Sequence, residues 1–281
     1  MYPELFTIDL PMLGTLPITS FGVSMAAAFG GAYLVLRSEL TRRDGAPELA
    51  DGIMLAGLVG GIVGAKLYFA LLHWERTAAD PAEMIFSRGG LVWYGGFIGG
   101  ALAVFWLLKR RGAPLLRTID CAAPALAIGY CIGRIGCFLV GDDYGYPTDG
   151  WTAVAFPDGA PPTTAANLRA FGADVDPAIP GDTVLAVHPT QLYEAGLMLI
   201  VFLVLMRLSR GPVRPPGWLF AAWLAMAGVE RILIEFFRAK DDRFLGPFTL
   251  AQFFSVLAVA GAVWALAHLR NTRSTQPAPT G

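Results

Sequence analysis

The sequence predicts an all-α polytopic membrane protein, with about seven transmembrane helices and a small extracytoplasmic head. Three observations predict it. The 281 residues are 55% hydrophobic and only 15% charged, where a soluble domain carries about 25% charged residues. Mean hydropathy is +0.54. Apolar runs of span length recur along the chain, separated by short polar turns and one long Pro-, Gly- and Asp-rich excursion.

The chain opens with MYPELFTIDLPMLGTLPITS, which holds two acids and no Lys or Arg. A cleavable signal peptide needs a positive n-region before its apolar core, so this segment is expected to be retained. A hydrocarbon core of about 30 Å takes about 20 apolar residues as helix. Runs of that kind fall at about 20–37, 52–73, 91–108, 118–138, 190–207, 218–238 and 251–269. The second carries Gly57, Gly60, Gly61 and Gly64, and the third Gly95, Gly96, Gly99 and Gly100. Such overlapping GxxxG patterns let helix backbones approach closely in lipid, which implies a bundle and says nothing of function. The excursion from Asp142 to about Val187 has FPDGAPPT as its clearest turn cluster and predicts a small head with short strands such as WTAVAF. The expected organisation is one integral-membrane domain over 1–270, with the head inserted at 142–187, and a disordered cytoplasmic tail over 271–281.

Orientation follows from the placement of positive charge. With the N-terminus outside, cytoplasmic segments collect Arg37, Arg42, Arg43, Lys109, Arg110, Arg111, Arg117, Arg207, Arg210, Arg214, Arg270 and Arg273. Outer segments then hold Arg76, Arg88, Arg134, Arg169, Arg238, Lys240 and Arg243. The bias predicts N-terminus out and C-terminus in. Arg134, Arg231, Arg238 and Arg243 then sit at or near the outer face, against the rule, and need a reason.

Some function classes are excluded early. A net charge of -1 is not that of a strongly basic nucleic-acid binder. Cys121, Cys131 and Cys137 form no CxxC pair and read as small hydrophobic packing. His73, His188 and His268 are scattered without HExxH, so no metal site is expected.

Ionisable residues inside a span cost about 2.5–3.5 kcal/mol each, so they mark paired or functional positions. The sixth run, WLFAAWLAMAGVERILIEFFR, has Glu230, Arg231, Glu235 and Arg238. On a helix Arg231, Glu235 and Arg238 share one face. Two readings stand: a structural ion-pair ladder, or a face whose two arginines outnumber its carboxylate and leave positive charge for an anion. Lys66, in the second run, has no acid within one turn and reads as structural.

The stretch GRIGCFLVGDDYG, residues 133–145, closes the fourth run with Arg134 between Gly133 and Gly136. Arg134 is either a snorkelling anchor at the membrane surface or the holder of an anion. For the second role, glycines let a ligand approach the backbone, and the guanidinium is a planar fork matched to phosphate. Arg134 and Arg231, on different helices at similar depth, make a two-armed clamp for a phospholipid headgroup.

The chain resembles the prolipoprotein diacylglyceryl transferases, bacterial membrane enzymes that lipidate prolipoproteins. Their signature runs Gly-Arg-x-Gly-Asn-Phe-x-Asn-x-Glu-x-x-Gly, and Gly133, Arg134, Gly136, Phe138 and Gly145 match it. HPTQLYEA from His188, ERILIEFFR from Glu230 and SRGGLVWYGGFIGG from Ser87 resemble three further blocks, in family order. Cys137 and Val140 replace the two signature asparagines, and Asp142 the glutamate. Tyr94 stands where many members have a histidine, and Phe21 where a tyrosine is common.

The resemblance implies phosphatidylglycerol as lipid substrate and the lipobox cysteine of a prolipoprotein as acceptor, with no cofactor. The thiol attacks the glycerol carbon bonded to phosphate, forming a thioether and expelling glycerol phosphate. Arg134, Arg231 and Tyr94 are the implied catalytic residues, the arginines gripping phosphate and Tyr94 positioning it or the thiol. Arg134, Gly136, Asp142, Gly145, His188, Gln191, Tyr193, Glu235 and Arg238 are the implied substrate-binding residues. The implied site lies near the outer face of the bacterial inner membrane. The rival class is an anionic-lipid-binding or transport membrane protein without transferase turnover. Transporters often show inverted repeats, and no convincing repeat is seen here.

Overall fold

The computed structural model describes residues 4–10, 14–44, 46–82, 90–239, 243–245 and 248–274. Ser87 and Arg88, Lys240 and the last seven residues of the expected tail lie outside these, as does the side chain of Arg243. The chain divides into two compact units, Met1–Ala32 with Ala122–Gly281, and Tyr33–Cys121.

The first unit begins with an antiparallel hairpin, β1 Glu4–Leu10 and β2 Gly14–Thr19, with Ile8 opposite Leu16. Phe6, Ile8 and Leu10 alternate with Thr7 and Asp9, which is the period of a strand. Helix α1, Ser20–Asp44, starts in this unit and ends in the other, with Arg42 and Arg43 in its last turn. Cations there complement the negative end of the helix dipole.

In the second unit α2 runs Glu48–Leu72, with Glu48 and Asp51 in its first turn, and short α3 spans Trp74–Ala79. Helix α4, Trp93–Arg110, packs on α2 through the glycines of both. A Cβ placed on Gly64 would lie 2.8 Å from the Cα of Gly99, so the GxxxG patterns do what close helix approach requires.

Back in the first unit, α5 (Leu115–Val140), α7 (Thr190–Ser209) and α8 (Trp218–Glu235) share a core of Ala123, Ala127, Cys131, Ala195, Met198, Val201, Leu205, Leu219 and Ala222. Ala123, Ala127, Ala195 and Ala222 in this core are the small residues through which helices pack in lipid. Helix α9, Leu250–Ser274, follows a short pairing of β5 (Arg243–Leu245) with β6 (Phe248–Thr249).

The segment between α5 and α7 has its own core, Tyr144, Phe156, Ala165, Leu168, Ala173, Val175 and Val187, joined by Ala239 from beyond α8. Strand β3, Val154–Ala155, lies inside WTAVAF and pairs antiparallel with β4, Ala186–Val187. Helix α6, Ala165–Ala170, is capped by Thr164, whose hydroxyl accepts from the Asn167 amide at 3.3 Å. The hairpin and these short strands add a little β-structure to a chain that is mostly helical.

Among the described residues, seven helices have 18 residues or more, one for each predicted run. Five of them, α1, α2, α5, α7 and α9, are long and apolar enough to cross a membrane. The other two carry charge: α4 ends in Lys109 and Arg110, and α8 holds Glu230, Arg231 and Glu235.

Candidate functional site

Three loops of the first unit are laced together at one end of α5, α7 and α8. Helix α5 stops at Gly141, whose φ of 74° suits glycine, and Asp143 follows with φ 56°, in the left-handed region that a non-glycine residue seldom adopts. The Gly141 and Asp142 amides donate back to the Cys137 carbonyl at 2.8 and 3.2 Å. The start of α7 holds the turn from the other side. Gln191 Nε2 donates to the Asp142 carbonyl at 2.5 Å, and Thr190 Oγ1 to that of Asp143 at 2.7 Å. Beyond the turn the Gly145 amide donates to the His188 carbonyl, and the Tyr146 amide to the Phe237 carbonyl, both at 2.8 Å. Gly145 is forced by this closeness: a Cβ there would meet His188 Cβ at 2.8 Å and Thr190 Cγ2 at 2.9 Å.

This lacing brings six charged side chains together. Arg134, near the end of α5, contacts Glu194 through Nε, and through Nη2 at 3.1 Å. Its Nη1 reaches Asp143 Oδ2 at 2.9 Å. Arg231 on α8 contacts Glu194 Oε1 at 3.4 Å and Glu235 at 2.5 Å. Arg238, just past α8, reaches Asp143 Oδ1 at 2.6 Å and lies 3.9 Å from Glu235. Arg134 also lies over the Tyr130 ring, 5.4 Å from its centroid, and donates to the Tyr130 hydroxyl at 3.3 Å. Glu194 lies in α7 just past its first turn.

The cluster therefore pairs three guanidiniums, Arg134, Arg231 and Arg238, with three carboxylates, Glu194, Glu235 and Asp143. The sequence predicted two arginines around one carboxylate and surplus positive charge on α8. The structure corrects this, because Glu194 and Asp143 arrive from outside that helix. Compensation is what apolar surroundings demand of charge. The six groups differ in access: the side chains of Glu194 and Glu235 are each 2% exposed, and that of Asp143 is 39% exposed. Burial alone would raise the Asp143 carboxyl, yet the Arg238 and Arg134 guanidiniums outweigh it and hold it down at about 2. The Asp142 carboxyl moves the other way, raised by burial and by its neighbour Asp143.

The sequence-predicted residues fall into three groups. Arg134, Arg231, Glu235 and Arg238 are in the cluster itself. Gly145, His188, Gln191 and Tyr193 frame it: His188 Nδ1 is 3.2 Å from the Tyr193 hydroxyl, which bonds Thr152 Oγ1 at 2.6 Å. Asp142 contributes its carbonyl to the frame while its Oδ1 is buried without a hydrogen-bond partner, and the acid that meets the arginines is Asp143. Gly136 makes room for α1, not for an open approach: a Cβ there would lie 2.7 Å from Ser24 Cβ. Tyr94 belongs to the other unit, in the first turn of α4, half exposed and edge-on to Trp93 with ring centroids 5.3 Å apart.

Sequence reasoning missed Glu194, Asp143 and Tyr130. A signal existed for the first. Glu194 is the lone acid in an otherwise apolar α7, which is the mark of a paired intramembrane residue. Glu230, the remaining acid of α8, is buried with Oε1 unpartnered.

Chemically, the arrangement offers several guanidinium forks at one helix end, preorganised by carboxylates and ready for a group bearing two or more acceptor oxygens. A model of the prolipoprotein diacylglyceryl transferase family matches residues 9–268. A protein of Clostridium tetani (strain Massachusetts / E88) named phosphatidylglycerol–prolipoprotein diacylglyceryl transferase is 26% identical over 244 residues, 87% of this chain and 90% of its own. One so named from Trichormus variabilis (strain ATCC 29413 / PCC 7937) is 30% identical over 273 residues, 92% of this chain and 91% of its own. Another, from Pseudomonas savastanoi pv. phaseolicola (strain 1448A / Race 6), is 28% identical over 289 residues, 99% of this chain and 98% of its own. With the match running from the N-terminal hairpin into α9, the chain belongs to the prolipoprotein diacylglyceryl transferase family.

Proposed function

We propose that this protein transfers the diacylglyceryl group of phosphatidylglycerol to the lipobox cysteine of prolipoproteins, the first step of bacterial lipoprotein maturation. The observation that carries the reading is the cluster of Arg134, Arg231 and Arg238 at one end of an apolar bundle. Family membership gives no support to the rival, lipid binding or transport without turnover.

The thiol loses its proton to solvent, its sulfur bonds to the diacylglyceryl carbon that carries phosphate, and that carbon's bond to the phosphate oxygen breaks. Glycerol phosphate leaves with the electron pair, and a thioether remains. Charge grows on the departing phosphate in the transition state, and Arg134 and Arg231 stabilise it there by charge-assisted hydrogen bonds. The attacking species is a thiolate, whose free pKa is about 8.5, and positive charge nearby lowers that value. Glu194 holds both arginines in place. Tyr94 positions phosphate or thiol by hydrogen bonding and is not the proton acceptor. His188, Gln191, Tyr193, Gly145 and Asp142 keep the loops around the arginines in register.

In the membrane the seven long helices all span, with the N-terminus outside and the C-terminus in the cytoplasm. The segment 142–187 is an extracytoplasmic head that receives the exported peptide, and the site lies near the outer face of the inner membrane. This topology accounts for the arginines that break the charge rule.

The test is incubation of the purified protein with phosphatidylglycerol and a lipobox peptide, followed by mass analysis of the peptide. A mass gain of one diacylglyceryl group on the cysteine is the expected result. An unmodified peptide, with phosphatidylglycerol bound, returns the protein to the rival class.

A further inference from the structure

We propose that Asp143 is an internal counter-ion occupying the seat that the lipid phosphate takes between Arg134 and Arg238, and that it thereby sets the site's affinity for its anionic substrate. The inference rests on the reading of Arg134 and Arg231 as a phosphate clamp and adds Arg238 as its third arm. Asp143 offers one oxygen to each guanidinium, Oδ2 to Arg134 Nη1 at 2.9 Å and Oδ1 to Arg238 Nη2 at 2.6 Å. A phosphodiester, with two non-bridging oxygens, presents the same pair of acceptors.

Three features single out Asp143 among the carboxylates of the cluster. Its side chain is 39% exposed, against 2% for Glu194 and 2% for Glu235, so it alone borders a route by which a ligand enters. Its backbone is pinned separately from its carboxylate: Thr190 binds the Asp143 carbonyl and Gln191 the Asp142 carbonyl, leaving the side chain to turn while the loop stays. Its neighbours are provided for when it leaves, since Arg134 keeps Glu194 and Arg238 keeps Glu235 nearby at 3.9 Å.

An incoming phosphate and the Asp143 carboxylate, both anionic, do not share one seat. Displacement conserves the charge of the cluster, three guanidiniums against three anions, before and after. It also means that every contact Asp143 makes with the arginines is subtracted from the binding of lipid. Removing the carboxylate while keeping the turn therefore tightens the substrate.

Asp143→Asn is the variant to make, because asparagine tolerates the left-handed backbone at φ 56° and has nearly the same shape without the charge. Asp143→Gly, also at ease there, gives a second version should the first fold poorly. In detergent micelles with phosphatidylglycerol and a lipobox peptide, KM for the lipid should fall about tenfold in both variants. kcat should stay level or drop, since phosphate held more tightly also departs more slowly. The rise in thermal midpoint on adding phosphatidylglycerol should be larger than in the parent, and Arg134→Gln should abolish that rise. A lipid KM and lipid-induced rise equal to the parent's, or a raised KM, overturn the role of Asp143 and leave the clamp standing. A rise that persists in Arg134→Gln overturns clamp and counter-ion together.

Discussion

Replacing Arg134 by lysine keeps the charge and removes the fork. The guanidinium contacts Glu194 through Nε and Nη2, Asp143 through Nη1 at 2.9 Å, and the Tyr130 ring at 5.4 Å. A lysine ammonium is a compact point donor without the planar fork, and it cannot reproduce both contacts to Glu194 together with those to Asp143 and Tyr130. At least one charge-assisted hydrogen bond is therefore lost, about 1.5–3 kcal/mol. If the same fork holds phosphate in the transition state, that loss slows transfer by about tenfold to 150-fold at 1.36 kcal/mol per decade. Folding should survive, because a cation still stands between Glu194 and Asp143. The assay is the rate of lipobox-peptide modification, with gel filtration and thermal unfolding as checks on the fold. Arg231→Lys, which leaves Glu194 and Glu235 the same cation, should behave alike. Rates within twofold of the parent for both well-folded variants would refute the clamp.

Tyr94→Phe should cost about tenfold to a hundredfold, one hydrogen bond to a charged group, with no recovery as pH approaches the pKa of the peptide thiol; recovery confined to the variant would make Tyr94 the base. A cysteine at Trp151, which is 98% exposed in the head, should be labelled by a membrane-impermeant reagent on intact cells lacking the native cysteines; labelling only after lysis would invert the topology. Because the folded Asp143 carboxyl sits at about 2, below its unfolded value near 3.9, its contribution to stability is complete above about pH 4 and fades as pH falls toward 2. Thermal midpoints of the parent should therefore drop more steeply over that window than those of Asp143→Asn; parallel curves would contradict the ion pairs. Gly145→Ala should destabilise by about 1–3 kcal/mol, since its Cβ would press on His188 and Thr190, and an unchanged thermal midpoint would show that the loops yield easily.

Much of the helical fold and of the arginine cluster is legible in the sequence. Each apolar run became a helix, and the ionisable residues of α8 led to the cluster, because a charge in an apolar run is conspicuous by its cost. What escaped was partnership across the chain. Glu194 is sixty residues from Arg134, and no helical period connects them. Asp143 stayed hidden because the signature frame draws attention to Asp142, and only the positive φ at Asp143 turns its carboxylate toward the arginines while Asp142 turns inward. Gly133 and Gly136 read as room for a ligand, since sequence cannot say that Ser24 of α1 takes the space beside Gly136. The hairpin Glu4–Thr19 had a strand-like alternation that a search for spans passes over. The helix that carries Arg231 and its paired acid Glu235 is also one of the two long helices too charged to rank as a plain span, so the ion pairs themselves obscured the topology.

In the proposed reaction, phosphate held by arginines is the leaving group of an alkyl transfer. This is tested most directly by quantifying, in one reaction, the peptide thioether and the glycerol phosphate released, for the parent and for Arg134→Gln and Arg231→Gln. Equal amounts of the two products are expected from the parent, and joint loss of both in each variant that still folds. Release of fatty acid or lysophospholipid in place of glycerol phosphate, or undiminished paired products from either variant, would contradict the proposed reaction.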